Sequence, residues 1–186
     1  SEEQHSFVRE ILQSGRHMME LIGDVLDLAK IESGNVTLKI EDRQPRPLID
    51  MCLTMIRAAA DKDGISVTSN LAAAEMPKLR IDPLRFKQAM LNLLSNAVKY
   101  NRSDGSVVLD SCAGENGMMR ISVTDTGEGI PEELTDQVFE PFERLGAQNS
   151  GIQGTGIGLT VTKQMIEDMG GAIGFESNVG KGTTFW

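Results

Sequence analysis

Apolar residues open the chain with a helical period. Along "SEEQHSFVREILQSGRHMMELIGDVLDLAKIESG", Phe7, Ile11, Ser14, Met18, Leu21, Val25 and Leu28 alternate at spacings of four and three. That is the seam of a coiled coil or helical bundle. Leu12, Met19, Ile22 and Leu26 widen the stripe, which suits a four-helix bundle better than a two-stranded zipper. No proline precedes Pro45, and Gly34 makes a natural stop. At 1.5 Å per residue the helix would be roughly 45 Å long. That exceeds the width of a small domain, so the pattern predicts a partner helix and not a fold-back.

After Gly34 the pattern shortens. "NVTLKI" alternates as a strand, and "PLIDMCLTMIRAAADKDG" reads as an amphipathic helix stopping at Gly64. "ISVTSN" and "LRI" are strands, and "DPLRFKQAMLNLLSNAVKYN" is a helix with Asp82 as N-cap and Pro83 at its first position. "SVVLDSCAG" and "MMRISVTDT" read as a hairpin, "PEELTDQVF" as a short helix and "GLTVTKQMIEDMGG" as a longer one. "AIGFES" and "GTTFW" close the chain as a second hairpin. The mix predicts an α+β fold, a two-layer sandwich with a mixed sheet and helices on one face, preceded by one long bundle helix.

Composition narrows the function classes. The 186 residues are 40% hydrophobic and 24% charged, an ordinary soluble balance. A net charge of -9 and a pI near 4.7 argue against nucleic acid, which needs a basic face. No apolar run reaches membrane-spanning length, and no targeting segment opens the chain. Cys52 and Cys112 are isolated thiols, which points to a reduced, cytosolic setting. The chain begins inside a helical pattern and stops at Trp186 inside a strand. Both ends predict a piece of a longer protein with its last strand truncated.

Three constellations could carry chemistry. "IQGTGIGLTV" spaces Gly154, Gly156 and Gly158 two apart, but Ile157 stands where a P-loop needs Lys, and the spacing is not that of a dinucleotide fingerprint. The segment follows "VFEPFERLGAQNS", in which Phe139 and Phe142 flank Pro141 and five glycines fall between 146 and 158. Aromatic residues before a glycine-rich stretch read as a hinged lid, although both phenylalanines also suit a core. The lid ends where a helix begins, a place for an anion, with Arg144 as its cation and Lys163 one turn on. On the helix after Asp82, the residues Arg85, Gln88, Asn92, Asn96 and Lys99 form a polar stripe. It is either a solvated face or the wall of a polar site, where Asn oxygen and Lys would suit Mg²⁺ and phosphates. In "MMRISVTDTGEGIP", Asp125 continues the apolar face of Met119, Ile121 and Val123. It either caps the D-T-G turn or accepts from a buried donor such as an adenine amino group, with Gly127 and Gly129 leaving space beside a flat ligand. His5 and His17 lie off the seam and read as exposed surface.

"LNLLSNAVKYN", "DTGEGI", "FEPFER", "GTGIGL" and "GKGTTF" follow one another in this order. Together they resemble the N, G1, F, G2 and G3 boxes of the catalytic ATP-binding domain of sensor histidine kinases, over residues 34–186. Residues 1–33, with "LIGDVLDLAKIESG", resemble the second helix of the dimerisation and histidine-phosphotransfer domain. The resemblance implies a Bergerat-type fold, the left-handed β-α-β sandwich of type II topoisomerases and mismatch-repair ATPases. It implies ATP and Mg²⁺, with Asn96 as metal ligand, Asn92 supporting it, and Lys99 and Tyr100 beside the phosphates and ribose. Asp125 would read the adenine amino group, with Gly127, Gly129 and Ile130 around the base and Thr183 beneath it. Phe142, Arg144, Gly154, Thr155, Gly156, Ile157, Gly158 and Leu159 would close on the phosphates. The catalytic residues would be Asn96, Lys99 and Arg144.

The implied reaction is transfer of the ATP γ-phosphate to a histidine on a bundle helix, then relay to a response-regulator aspartate. The implied partners are a second copy through the bundle helix and a receiver domain, in the cytoplasm, with any membrane contact made by other parts of the parent. The chain departs from the family in two respects: its lid carries only Arg144 as a cation, and its acceptor motif is absent. The acceptor sits in a His-Glu-x-x-x-Pro setting, and no proline precedes Pro45, so acceptor and acidic neighbour are both missing. The competing readings are a degenerate kinase that scaffolds a dimer and an ATPase clamp of the topoisomerase type. The bundle helix and the short interval from Gly129 to Gly154 disfavour the clamp.

Overall fold

A computed structural model describes residues 37–71, 76–144 and 154–186, and positions 4, 7, 8, 11, 12, 15, 18, 19, 22, 23, 25, 26 and 29 of the opening segment. Those opening positions are helical and belong to α1. Phe7, Ile11, Met18 and Val25 of the seam are exposed, as are Leu12, Met19, Ile22 and Leu26 beside it. The apolar stripe is therefore uncovered where it is described. Ser14, Leu21, Leu28, His5 and His17 lie outside the described residues.

The first strand among the described residues, β1, is Glu41–Arg43; residues 37–40 of the "NVTLKI" run form no strand, and residues 35 and 36 lie outside the described residues. β1 pairs antiparallel with β3 (Leu79–Ile81), Glu41 opposite Ile81. Beyond Ile81 the partner chain turns into a helix, so the residues before Glu41 have no strand left to pair with. The Lys39 amide instead donates to Oδ2 of Asp82, 2.9 Å away. Asp82 also caps α3 (Pro83–Lys99), accepting at Oδ1 from Leu84 and Arg85. The predicted N-cap is thus correct, and it doubles as the tie to the incoming chain.

α2 (Pro45–Ala60) buries Ile49, Cys52, Leu53, Ile56 and Ala60. α3 buries Phe86, Ala89, Met90, Leu93, Leu94, Ala97 and Val98. Both helices pack on a five-stranded sheet ordered β2-β4-β5-β7-β6. Here β2 is Ser66–Ser69, β4 Ser106–Ala113, β5 Met119–Asp125, β6 Phe175–Asn178 and β7 Gly182–Phe185. β2 runs parallel to β4, and the other pairs are antiparallel. The parallel pair needs a crossover, and β3 with α3 supplies it. The register sets Val107 opposite Asp125, Leu109 opposite Val123, and Val123 opposite Phe185. The helix-facing row is therefore apolar until it reaches Asp125. On the reverse face the Thr124 and Thr184 hydroxyls meet at 3.0 Å.

α4 (Gly158–Asp168) packs along α3, with Ile157, Val161 and Met165 as a small core of their own. "PEELTDQVF" forms 3₁₀ turns over Glu132–Gln137 in place of a regular short helix. Among the described residues no helix is long and apolar enough to cross a membrane.

Candidate functional site

Asp125 closes β5 with 7% of its surface exposed. Its Oδ1 accepts from the Gly127 amide at 2.8 Å and from the Thr183 amide at 3.2 Å. The first bond is the turn cap read from the sequence; the second comes from the far end of the chain. Both fall on Oδ1, so Oδ2 takes no donor among the described residues. Burial pushes the Asp125 pKa up, and the two amides oppose it without cancelling it. The Ser177 hydroxyl lies 2.8 Å from that of Thr183 and accepts from the half-buried Ile130 amide at 2.8 Å. The turn after Asp125 is thereby fastened to the β6–β7 hairpin.

Gly127 and Gly129 carry a packing requirement besides the role expected of them. A β-carbon on Gly127 would lie 2.2 Å from the Tyr100 carbonyl oxygen, and one on Gly129 would lie 2.2 Å from that of Asn178. On the side where a side chain would project, both glycines meet backbone. Gly129 also has a φ of +75°, which disfavours any side chain.

The polar stripe on α3 is not a solvated face, because Arg85, Gln88, Asn92, Asn96 and Lys99 are all half-buried. Asn92 donates from Nδ2 to the Thr162 hydroxyl on α4 at 2.7 Å. The Lys99 ammonium lies 5.1 Å from the centre of the Tyr100 ring. Burial raises the Tyr100 pKa, and the nearby Arg144 charge pulls it back, which sets Arg144 beside the same ring. The Asn96 side-chain amide makes no hydrogen bond among the described residues.

The end of α3 is tied to the strand that carries Asp125. Asn101 donates to the carbonyls of Ala97 and Ser106, each at 3.0 Å. The Thr126 hydroxyl donates to Asn101 at 3.1 Å and accepts from the Ser106 amide at 2.8 Å. Asn101 and Thr126 stand inside the sequence motifs, but local pattern gives neither a role. Nothing in their spacing shows that they meet.

Residues 145–153, the middle of the predicted lid, lie outside the described residues. Its two ends are joined: the Phe142 amide donates to the Gly156 carbonyl at 2.9 Å. Gly156 has a φ of +72°, and a β-carbon there would lie 2.7 Å from the Phe142 carbonyl carbon. The two phenylalanines separate in role. Phe139 packs edge-on against Phe175 and Phe185, at 5.9 and 6.5 Å, whereas Phe142 is exposed. Lys163 sits over the Phe139 ring at 5.3 Å. Thr155 accepts from the Ile157 amide at 3.2 Å, and Leu159 packs on the main core.

The glycine segment runs along the α3 stripe. A β-carbon on Gly154 would lie 2.6 Å from the Lys99 ammonium and 3.4 Å from the Tyr100 hydroxyl. One on Gly158 would lie 2.7 Å from the Asn92 amide oxygen. No side chain caps the start of α4. Its first amides and positive helix end therefore stand beside Asn92, with Lys99 and Gly154 next to them, a setting that favours an anion. Asp125 and Thr183, joined at 3.2 Å, form a second, buried polar spot.

A buried acceptor together with a helix start that favours an anion suits a nucleotide-binding class of domain. The family model for histidine kinase-, DNA gyrase B-, and HSP90-like ATPases matches residues 81–186. The chain belongs to this family, as an ATP-binding catalytic domain of the sensor histidine kinase type. It is 37% identical over 188 residues to the circadian input-output histidine kinase CikA of Synechococcus elongatus, covering 100% of this chain and 25% of CikA. It is 32% identical over 187 residues to the signal transduction histidine-protein kinase BarA of Escherichia coli, covering 98% of this chain and 20% of BarA. Full-length ShkA, solved in complex with AMPPNP, superposes with a TM-score of 0.84 at 30% identity, over 99% of this chain and 38% of ShkA. The chain thus spans a quarter or less of the length of these two curated relatives.

Proposed function

We propose that the chain binds Mg²⁺-ATP along the polar face of α3 and donates the γ-phosphate to a histidine on a bundle helix. The observation that carries this reading is the pairing of Asp125 at one end with the uncapped start of α4 at the other. Asp125 Oδ2 is the acceptor for the adenine amino group, and Thr183 and Ile130 border the base. Lys99, Tyr100 and Arg144 flank the ribose and phosphates, and the amides of Gly154, Thr155, Gly156, Gly158 and Leu159 hold the terminal phosphates, while the Ile157 amide is held by the Thr155 hydroxyl and shapes that turn. Phe142 closes the front of the lid.

The residues fit a magnesium ion that arrives with its nucleotide. Such an ion takes one or two protein oxygens and completes its shell with phosphates and water. Asn96, half-buried and with no hydrogen bond to its side-chain amide among the described residues, would be the protein ligand, with Asn92 supporting it. What a bound magnesium ion would supply there is charge neutralisation of the nucleotide phosphates. The chain's own contribution is positioning: Lys99 and Arg144 orient the phosphates.

We infer that residues 1–33 are the second helix of a dimerisation and phosphotransfer domain, and that residues 34–186 form the catalytic domain. The exposed α1 stripe supports pairing with a second copy in a bundle. The phosphoryl group would then pass to an aspartate of a receiver domain. His5 and His17 have no Pro-containing acceptor context, so the chain alone should bind ATP without labelling itself. The test is radiolabelled ATP, offered with and without a bundle that carries the acceptor helix. Acid-labile, base-stable label on that helix alone is expected. Label on the chain that vanishes in a His5→Ala, His17→Ala double mutant would contradict the missing-acceptor reading. ATP binding with no label on any bundle would favour a scaffold.

A further inference from the structure

We propose that Thr162 is a positioning residue for the nucleotide site, setting which end of the Asn92 amide faces the ligand. Thr162 lies on α4 with 2% of its surface exposed, between the buried apolar Val161 and Met165. Valine would fill the same volume, so packing alone does not explain a hydroxyl there. A hydroxyl at that depth needs a partner. The partner is Asn92 Nδ2 at 2.7 Å, across the α3–α4 interface.

The bond has a chemical consequence. An asparagine amide is two-ended: its NH₂ donates to phosphate oxygens, and its carbonyl oxygen accepts from metal-bound water or ligates a cation. In the 2.7 Å bond the donor is Nδ2 of Asn92 and the Thr162 hydroxyl oxygen accepts. Thr162 therefore takes the Asn92 NH₂ and leaves the carbonyl oxygen at the first turn of α4. That oxygen lies 2.7 Å from where a β-carbon on Gly158 would stand. Asn92 is thus presented to the site as an acceptor, which suits a hydrated cation and not a bare phosphate. The other threonine of this turn, Thr160, donates to the Phe139 carbonyl at 2.9 Å. One hydroxyl thus ties α4 to α3 and the other ties it to the segment before the lid, so the start of α4 is braced from two sides.

The inference rests on the proposed Mg²⁺-ATP site. Its test is calorimetric titration of the full 186-residue chain with ATP, with Mg²⁺ and in EDTA, using wild type, Thr162→Val, Thr162→Ser, Asn92→Ala and the Thr162→Val, Asn92→Ala double mutant. Thr162→Val should weaken Mg²⁺-ATP binding roughly 5- to 20-fold, the effect of one lost buried hydrogen bond and a misoriented amide. It should change metal-free ATP binding much less. Thr162→Ser should stay within about 2-fold of wild type, and the double mutant should bind no more weakly than Asn92→Ala. A Thr162→Val affinity equal to wild type, or an equal loss in the Asn92→Ala background, overturns the positioning role. So does equal loss with and without Mg²⁺, which marks a merely structural effect. Wild type that binds no Mg²⁺-ATP overturns the functional reading itself, a result distinguishable from the others.

Discussion

The Thr183 amide donates to Oδ1 of Asp125 across 3.2 Å, joining the last strand of the chain to the carboxylate that ends β5. With the Gly127 amide on the same oxygen, the carboxylate is held by one atom while the other stays available. The bond makes the final hairpin part of the site.

Asp125→Asn should keep both amide bonds through its remaining carbonyl oxygen and lose the charge. ATP binding should weaken by about 1.5–3 kcal/mol, the worth of a charge-assisted bond. Stability should move the other way. A folded pKa raised by burial contributes stability that is fully present below the unfolded pKa and lost as pH rises through the folded one. Removing the charge should therefore leave the melting temperature at neutral pH unchanged or higher. Wild-type ATP affinity should fall on acidification through that raised pKa, and the Asp125→Asn variant should lack this step. Calorimetry and thermal melts across pH check both.

Asp82 has the opposite sign. Burial pushes its pKa up, but the Lys39, Arg85 and Leu84 amides outweigh it and hold the carboxylate below its ordinary value of 3.8. Its stabilisation is present above the unfolded pKa and is lost as pH falls through the folded one. Asp82→Ala should cost about 1–2 kcal/mol at neutral pH, the usual worth of an N-cap. The gap from wild type should close only in strongly acid solution. Denaturant unfolding at neutral and acid pH measures it.

Much of the fold was legible because its signals are local. The cap at Asp82, the α3 stripe and both hairpins follow from spacing and turn chemistry. The misplaced first strand shows the limit. "NVTLKI" alternates like a strand, but whether it pairs depends on Ile81 being the last extended residue of a distant partner strand. The site divides in the same way. Asp125 stood out as a charge on an apolar face, and Asn92 and Asn96 stood out as poor helix formers. Thr162, Asn101, Thr126 and Ser177 did not, because each acts through a bond to a distant residue that no local pattern encodes. Gly127 and Gly129 were legible as necessary, though the backbone that fills their space was not.

Gly156 and Gly170 offer a matched pair of substitutions. Both have strongly positive φ, +72° and +79°, but a β-carbon on Gly170 would meet nothing within 4 Å. Alanine at either should cost about 1–2 kcal/mol of backbone strain. Only Gly156→Ala should also weaken ATP binding, because it forces the Phe142 and Gly156 ends of the lid apart. Equal affinities for the two variants, measured by calorimetry, would separate the lid base from the site.

The central claim is that nucleotide and metal bind together along α3, between Asp125 and the start of α4. The most direct measurement is titration of ATP into the chain by calorimetry, with Mg²⁺ and in EDTA, for wild type and Asn96→Ala. Wild type should bind one ATP per chain, more tightly with Mg²⁺. Asn96→Ala should keep its fold by circular dichroism and lose the Mg²⁺-dependent gain. Unchanged Mg²⁺-ATP affinity in Asn96→Ala, or no binding to wild type at all, would contradict the account.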